Sequence, residues 1–352
     1  MAHGTRIRRF LASAPVALVL CIASTTIPAA EPTFPGQTWE MPGASPPEGW
    51  SAEHLQIAEN RVETTRPTGV FVVQDGRVVA AWGEVARTVN VRSIRKSVLS
   101  ALLGIGVAES RIDLNRTLGE LRIDDNEPRL TVAEKEATIR QLLMSRSGIY
   151  HGAIYDGYGL APRPDRGSHA PGAFWYYNEW DFNALGTIYT RLTGDSIFEA
   201  FDRRIARPTG MQDYQADRDG RLVYDSVSQH PAYVMLLSAR DLARLGLLYL
   251  NDGAWAGTQI LASSWVKEST KRWSDTAVGL GYGYMWWEIP SGRGLAGGGF
   301  AALGLGGQAL AVIPSKRLVV AQTADRSDSP AEITASHFFE LLRLIVAASP
   351  KE

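Results

Sequence analysis

The chain has 352 residues, 45% of them hydrophobic, with 36 basic and 37 acidic side chains and a formal net charge of −1. That length and apolar content suffice for a substantial buried core, and the near-balanced charge gives no support for nucleic-acid binding. Cys21 is the sole cysteine, which excludes an internal disulfide and a thiolate metal cluster.

Arg6, Arg8 and Arg9 precede an apolar stretch over residues 10–23, and small residues follow as far as Ala30. This is the pattern of a signal peptide cut near Ala30, so residues 1–30 are set apart from the fold and an exported, periplasmic or secreted protein is expected. The apolar stretch is broken by Ser13 and Pro15 and is short for a membrane span, so no stable membrane insertion is expected after cleavage. Losing three arginines and no acids leaves a net charge of about −4, and losing Cys21 leaves no thiol. Residues 32–49, rich in Pro and Gly, read as an extended surface arm. Apolar runs at 68–74 and 77–84 flank Asp75-Gly76, a strong hairpin signal.

Ser93-Ile94-Arg95-Lys96 comes next, ahead of a continuous apolar run over 98–107 that reads as a buried helix. The spacing puts Ser93 at the first turn with Lys96 on the same face. A serine needs a base to become a nucleophile, and an unprotonated lysine within hydrogen-bond reach can serve. The positive helix end disfavours the ammonium, and its free N–H groups can face a developing oxyanion. The pattern points to acyl transfer. Free lysine and tyrosine titrate at about 10.4 and 10, so bringing either near neutrality by about 3 units takes on the order of 4 kcal/mol of differential interaction.

His151 and His169 flank a Gly- and Pro-rich loop over 152–167 that can wall a pocket, and either could contact substrate or be structural. Tyr176-Tyr177-Asn178 then precedes a helical run over 180–192. A phenol at 176 meeting the lysine can relay protons, and in extended backbone the amide of Asn178 points the same way. Phe174, Trp175, Tyr177, Trp286 and Trp287 adjoin these motifs and suit an apolar cleft. His230 before Pro231 reads as a turn. Two decoys occur: Tyr249-Leu250-Asn251 ends an apolar helix and reads as core, and Ser264-Trp265-Val266-Lys267 lies in a polar stretch and reads as surface. Gly304-Leu305-Gly306-Gly307-Gln308 leads into apolar runs at 309–313 and 317–321 separated by Pro314-Ser315-Lys316, a second hairpin whose glycine-rich entrance allows close backbone approach and a second oxyanion donor. A helix over about 331–347 would cover the resulting sheet. No HExxH or clustered His/Asp/Glu spacing appears and no G-x-S-x-G elbow, so neither a metal nor the α/β-hydrolase fold is expected.

In order and spacing, these motifs resemble the penicillin-recognising serine hydrolases, in the class C β-lactamase-like branch that includes 6-aminohexanoate-dimer hydrolases and esterases. The resemblance runs from about Gly69 to about Ala324. It takes in residues 142–151, Ser168-His169-Ala170-Pro171-Gly172, His230-Pro231-Ala232-Tyr233, residues 238–244 and residues 281–287. It implies an α/β (α+β) β-lactamase-like fold, an antiparallel sheet flanked by helices plus a mostly helical second lobe. The sheet domain would comprise 31–93 and 238–352 and the helical one 94–237, with the active site at their interface.

The resemblance further implies Ser93 as nucleophile, Lys96 as its base, Tyr176 as proton relay and Asn178 as the group orienting the cluster. The backbone N–H groups of Ser93 and Gln308 would form the oxyanion hole. Read from their place beside these motifs, Tyr177, Trp175, His151, His169, Leu305, Gly306, Gly307 and Trp287 are the candidates for the substrate pocket. The Lys-Thr-Gly or Lys-Ser-Gly of β-lactam-processing relatives, and the histidine of nearer ones, would fall at Leu305-Gly306-Gly307, and no K-[ST]-G occurs in the chain. An ester or amide hydrolase without a cofactor is therefore expected, acting on a small molecule. A β-lactamase or D-Ala-D-Ala peptidase-like enzyme, or a noncatalytic sensor retaining the fold, are the alternatives.

Overall fold

The computed structural model describes residues 1–5, 33–43, 45–156, 161–292, 294–325 and 332–350. Residues 33–350 belong to a single compact unit; residues 6–30 of the expected signal segment, Cys21 among them, lie outside the described residues. Among the described residues no helix is long and apolar enough to cross a membrane.

The expected first hairpin is β1 (Gly69–Gln74) and β2 (Arg77–Gly83), joined through Asp75 and Gly76 at φ of 48° and 76°. Three further strands, β3 (Val89–Asn90), β4 (Gly220–Asp225) and β5 (Ser228–Leu237), form a small sheet in the order β3-β5-β4. The main sheet continues with β6 (Ser274–Asp275), β7 (Gly281–Tyr282), β8 (Trp287–Ile289), β9 (Gly299–Gly304), β10 (Gln308–Ile313) and β11 (Leu318–Thr323). Its order is β2-β1-β11-β10-β9-β8-β7-β6, antiparallel throughout, with β1 and β11 paired from Gly69↔Thr323 to Gln74↔Leu318.

Alternation along these strands decides what each face covers. Val70 and Val72 join the apolar cluster under α1 (Ala52–Thr65) and α6 (Ala335–Ala348), whereas Phe71 and Val73 join the larger cluster on the other face. That larger cluster takes in α2 (Ile94–Ala108), α3 (Glu179–Thr193) and α4 (Ala239–Leu250). α2 is buried from Ile94 through Gly106, the mark of a central helix with no solvent face. Gly104 is required there, because a Cβ would overlap the Trp265 indole of α5 (Ser263–Thr270). The Pro-rich arm packs on α4, where Arg244 donates to Gly36 O and Gln37 O at 2.9 and 3.2 Å.

The strands of the main sheet come from the two spans expected of the sheet domain, but the boundaries at 93/94 and 237/238 fall inside one continuous core. Phe71, Leu310 and Val319 share a cluster with Leu102, Phe182 and Phe201. The middle span, expected to be mostly helical, also holds β4 and β5. His230-Pro231 is strand rather than turn. Pro231 occupies the ladder irregularity between Ala232 and Ser228, where its missing N–H forfeits no pairing bond, and His230 is buried.

Candidate active site

Ser93 is the N-cap of α2, yet its side chain makes no capping bond, so the hydroxyl is left for other partners. Arg92 before it has φ of 53°, and among the described residues the Ser93 backbone N–H has no hydrogen-bond acceptor while Ile94, Arg95 and Lys96 bond back to Val91, Arg92 and Ser93. One turn on, Lys96 is 1% exposed and its Nζ lies 2.9 Å from Ser93 Oγ, 2.7 Å from the Tyr177 hydroxyl and 2.5 Å from Glu179 Oε1. The rings of Tyr177 and Phe182 each stand 4.4 Å from the same nitrogen. Burial brings the Lys96 amine down to about 7, against the pull of Glu179 and with the help of repulsion from Arg95.

The phenol that meets Lys96 is thus Tyr177, not Tyr176. Ser145 fixes the extended segment: its Oγ donates to Tyr176 O at 2.6 Å and accepts from Asn178 N at 3.1 Å. Neighbouring side chains of extended backbone point to opposite sides. Tyr176 turns edge-on to Tyr150 at 5.8 Å, and Tyr177 turns to the lysine and stacks on Trp287 at 5.7 Å. Burial and the charge of Glu179 push the Tyr177 phenol well above its usual range, so it is neutral in the resting site.

Asn178 also departs from expectation. It caps α3, accepting from Trp180 N at 3.3 Å and donating to Ile149 O at 2.6 Å and Asp181 Oδ1 at 2.9 Å. Those bonds commit its amide to the start of the helix, and the residue that touches Lys96 is the next one. Glu179 receives Lys96 on one oxygen and Arg95 Nη2 on the other at 3.1 Å. Burial alone would raise the Glu179 carboxyl, but the two cations hold it below its ordinary value. Glu179 and Arg95 were not foreseen. The available signals were an acid at the first position of a helix and an arginine beside the lysine.

Ser93, Tyr177 and Glu179 open onto a cleft of about 780 Å³, walled by Leu303, Leu305 and Ile333 among other apolar side chains. β9 outruns β8: their pairing ends at Trp287↔Ala301, so Ala302, Leu303 and Gly304 continue beyond the last rung of that ladder. Gly304 comes against the segment that carries the serine, where an added Cβ would stand 2.6 Å from Val91 O. Leu305-Gly306-Gly307 is the β9–β10 turn rather than strand, with φ of 80° and 89° at its two glycines. Leu305 and Gly306 line the cleft, while Gly307 packs on Ile333. Gln308 lies in the ladder opposite Gly304 with its side chain bonded to both backbone polar atoms of Ala324, and it is not among the residues that line the cleft. No cation occurs anywhere along β9 or its turn.

Trp287 lines the cleft and Trp175 stands behind it, 6.2 Å away edge-on. His151 is half-buried with Nε2 3.9 Å from Glu134, and His169 stacks on Phe174 at 4.2 Å beside Tyr150; neither lines the cleft. Of the decoys, Ser264 and Lys267 are exposed on α5, and Tyr249 is buried at the end of α4.

The family model described as Beta-lactamase matches residues 56–339. A curated but uncharacterized protein of Alkalihalophilus pseudofirmus is 24% identical over 302 residues, 74% of this chain and 84% of the other. Among solved structures, a Bacillus anthracis protein provisionally named a 6-aminohexanoate-dimer hydrolase superposes with a TM-score of 0.64 at 21% identity, over 91% of this chain and 89% of that one. A penicillin-binding-protein homologue from Caulobacter crescentus gives 0.63 at 17% (87% and 98% covered), and a class C beta-lactamase 0.63 at 13% (85% and 95%).

Proposed function

The chain belongs to the beta-lactamase family, whose members are serine hydrolases, and from that premise we propose that it cleaves a carboxylic ester or amide through a covalent acyl-Ser93 intermediate. The observation that carries this reading is the contact of one nearly neutral buried amine with a serine hydroxyl, a neutral phenol and a carboxylate.

Neutral Lys96 takes the Ser93 proton as Oγ bonds to the acyl carbon, and the carbonyl electrons move onto oxygen. The Ser93 N–H, at the start of α2, is a donor offered to that oxyanion. As the carbonyl re-forms, the bond to the leaving oxygen or nitrogen breaks and the Lys96 proton passes to it through Tyr177. A water then attacks the acyl-enzyme and yields its proton along the same path, freeing the carboxylic acid and Ser93. Tyr177, held neutral, serves as a relay; the amine near neutrality serves as the base.

The substrate reading follows from charge. The inner end of the cleft carries Glu179, and β9 offers no cation to hold a carboxylate near the scissile bond. Apolar walls suit an ester or amide uncharged near that bond. Labelling with a fluorophosphonate and a p-nitrophenyl ester burst test the proposal. Ser93→Ala should abolish both and Ser264→Ala neither. A folded wild-type protein that neither labels nor turns over any ester or amide would point instead to a sensor.

A further inference from the structure

Resting on Lys96 as the base, we propose that Arg95 is a positioning residue that keeps Lys96 deprotonated by occupying the other half of Glu179. The geometry is a carboxylate bridging two cations: Glu179 Oε1 to Lys96 at 2.5 Å and Oε2 to Arg95 at 3.1 Å, with all three side chains buried. When Lys96 gives up its proton, the buried pair that remains, Arg95 with Glu179, is neutral. Without Arg95, deprotonating Lys96 would leave a carboxylate alone in the core, a state so unfavourable that the ammonium would be retained. Arg95 is thus the counter-charge that frees the lysine, and it never touches the serine.

Its placement is fixed. The guanidinium stands 4.9 Å over the Tyr233 ring of β5 and 5.9 Å from the ring of Tyr155. Among the described residues its Nε has no hydrogen-bond partner, and its Nη2 donates to Glu179 Oε2 at 3.1 Å. The other titratable groups around the lysine favour no competing explanation. Ser93 is its own neighbour on α2, and Tyr177 and Glu179 come from the α3 side. Behind them, burial raises the phenols of Tyr233 and Tyr282, which keeps both uncharged, and it raises the carboxyl of Asp181 against the hydrogen bonds of Ser147 and Asn178.

The test is the pH dependence of kcat/KM for a p-nitrophenyl ester, with fluorophosphonate labelling and thermal melting of each variant. Arg95→Met should move the acid limb upward by about one pH unit or more, a roughly tenfold loss below the limb, with the rate recovering to within about threefold by roughly pH 9. Arg95→Lys, which keeps the charge, should restore the wild-type limb. Glu179→Gln should move the limb the other way and stands as the reciprocal measurement where Arg95→Met does not fold. A loss that is equal at all pH values, or limbs moving in one direction for both variants, would overturn the role of Arg95. The base reading itself fails separately, by a wild-type limb absent near neutrality or unchanged in Lys96→Ala.

Discussion

Two adjacent tyrosines make a sharp test, since they differ in one respect: the Tyr177 hydroxyl is 2.7 Å from Lys96 Nζ, and Tyr176 faces Tyr150 instead. Tyr177→Phe keeps the ring that stacks on Trp287 at 5.7 Å and removes only the oxygen. The loss has two parts. A hydrogen bond between neutral groups contributes roughly 0.5–1.5 kcal/mol, and its loss leaves the amine less well held. A positioned proton-transfer group contributes about 10²–10⁴-fold in rate, because the leaving group must otherwise depart unprotonated. The expected result is a fall in kcat of at least about 10²-fold, with the acylation burst slowed and KM within a fewfold. Tyr176→Phe should stay within about twofold. The assay is stopped-flow hydrolysis of a p-nitrophenyl ester, with a melt to confirm folding. A Tyr177→Phe enzyme within about threefold of wild type, or a Tyr176→Phe enzyme that is the impaired one, would refute the assignment of the relay.

Because the active form of Lys96 is the neutral amine and burial sets it at about 7, kcat/KM should be fully developed above that pH and fall tenfold per unit below it, as a pH-rate profile will show. The same depression acts on stability: between about 7 and 10.5 the unfolded lysine holds a proton that the folded one lacks, so denaturant midpoints should rise with pH across that window as far as this group is concerned. Asn178→Ala should cost about 1–2 kcal/mol of stability through the lost α3 cap, read as a lower melting temperature, with the acid limb unmoved. Gly304→Ala drives a Cβ to 2.6 Å from Val91 O and must displace the segment entering Ser93, so labelling should slow by an order of magnitude or more, roughly the effect of a misplaced nucleophile.

The serine and lysine were legible because the tetrad abuts an unbroken apolar run, and such a run can only be an interior helix. Sequence alone did not place the next element, where the helix was started one residue late. With α3 beginning at Glu179, Asn178 becomes its N-cap, and an N-cap asparagine spends its side chain on its own helix. The tyrosine facing the lysine then shifts from 176 to 177. The glycine-rich entrance at 304–308 was legible as the approach to a strand, and its two successive glycines ahead of an apolar run take the positive φ of a hairpin turn. The strand before it, β9, went unrecognised, since Gly299-Phe300-Ala301-Ala302 has little β-branched character and owes its form to the pairing with β10. The early and late hairpins themselves were legible from their Asp-Gly and Pro-Ser signals.

The pairing of β1 with β11 means that the sheet joins segments from nearly opposite ends of the sequence. The nucleophile and its base belong to a helix made early in synthesis, but the strand edge, the turn and α6 that enclose their cleft are made last. A nascent or partly threaded chain would carry the reactive pair without its enclosure, and joining such distant segments is slow. Closure of the cleft over Ser93 and Lys96 thus waits on the docking of β9, its turn and α6.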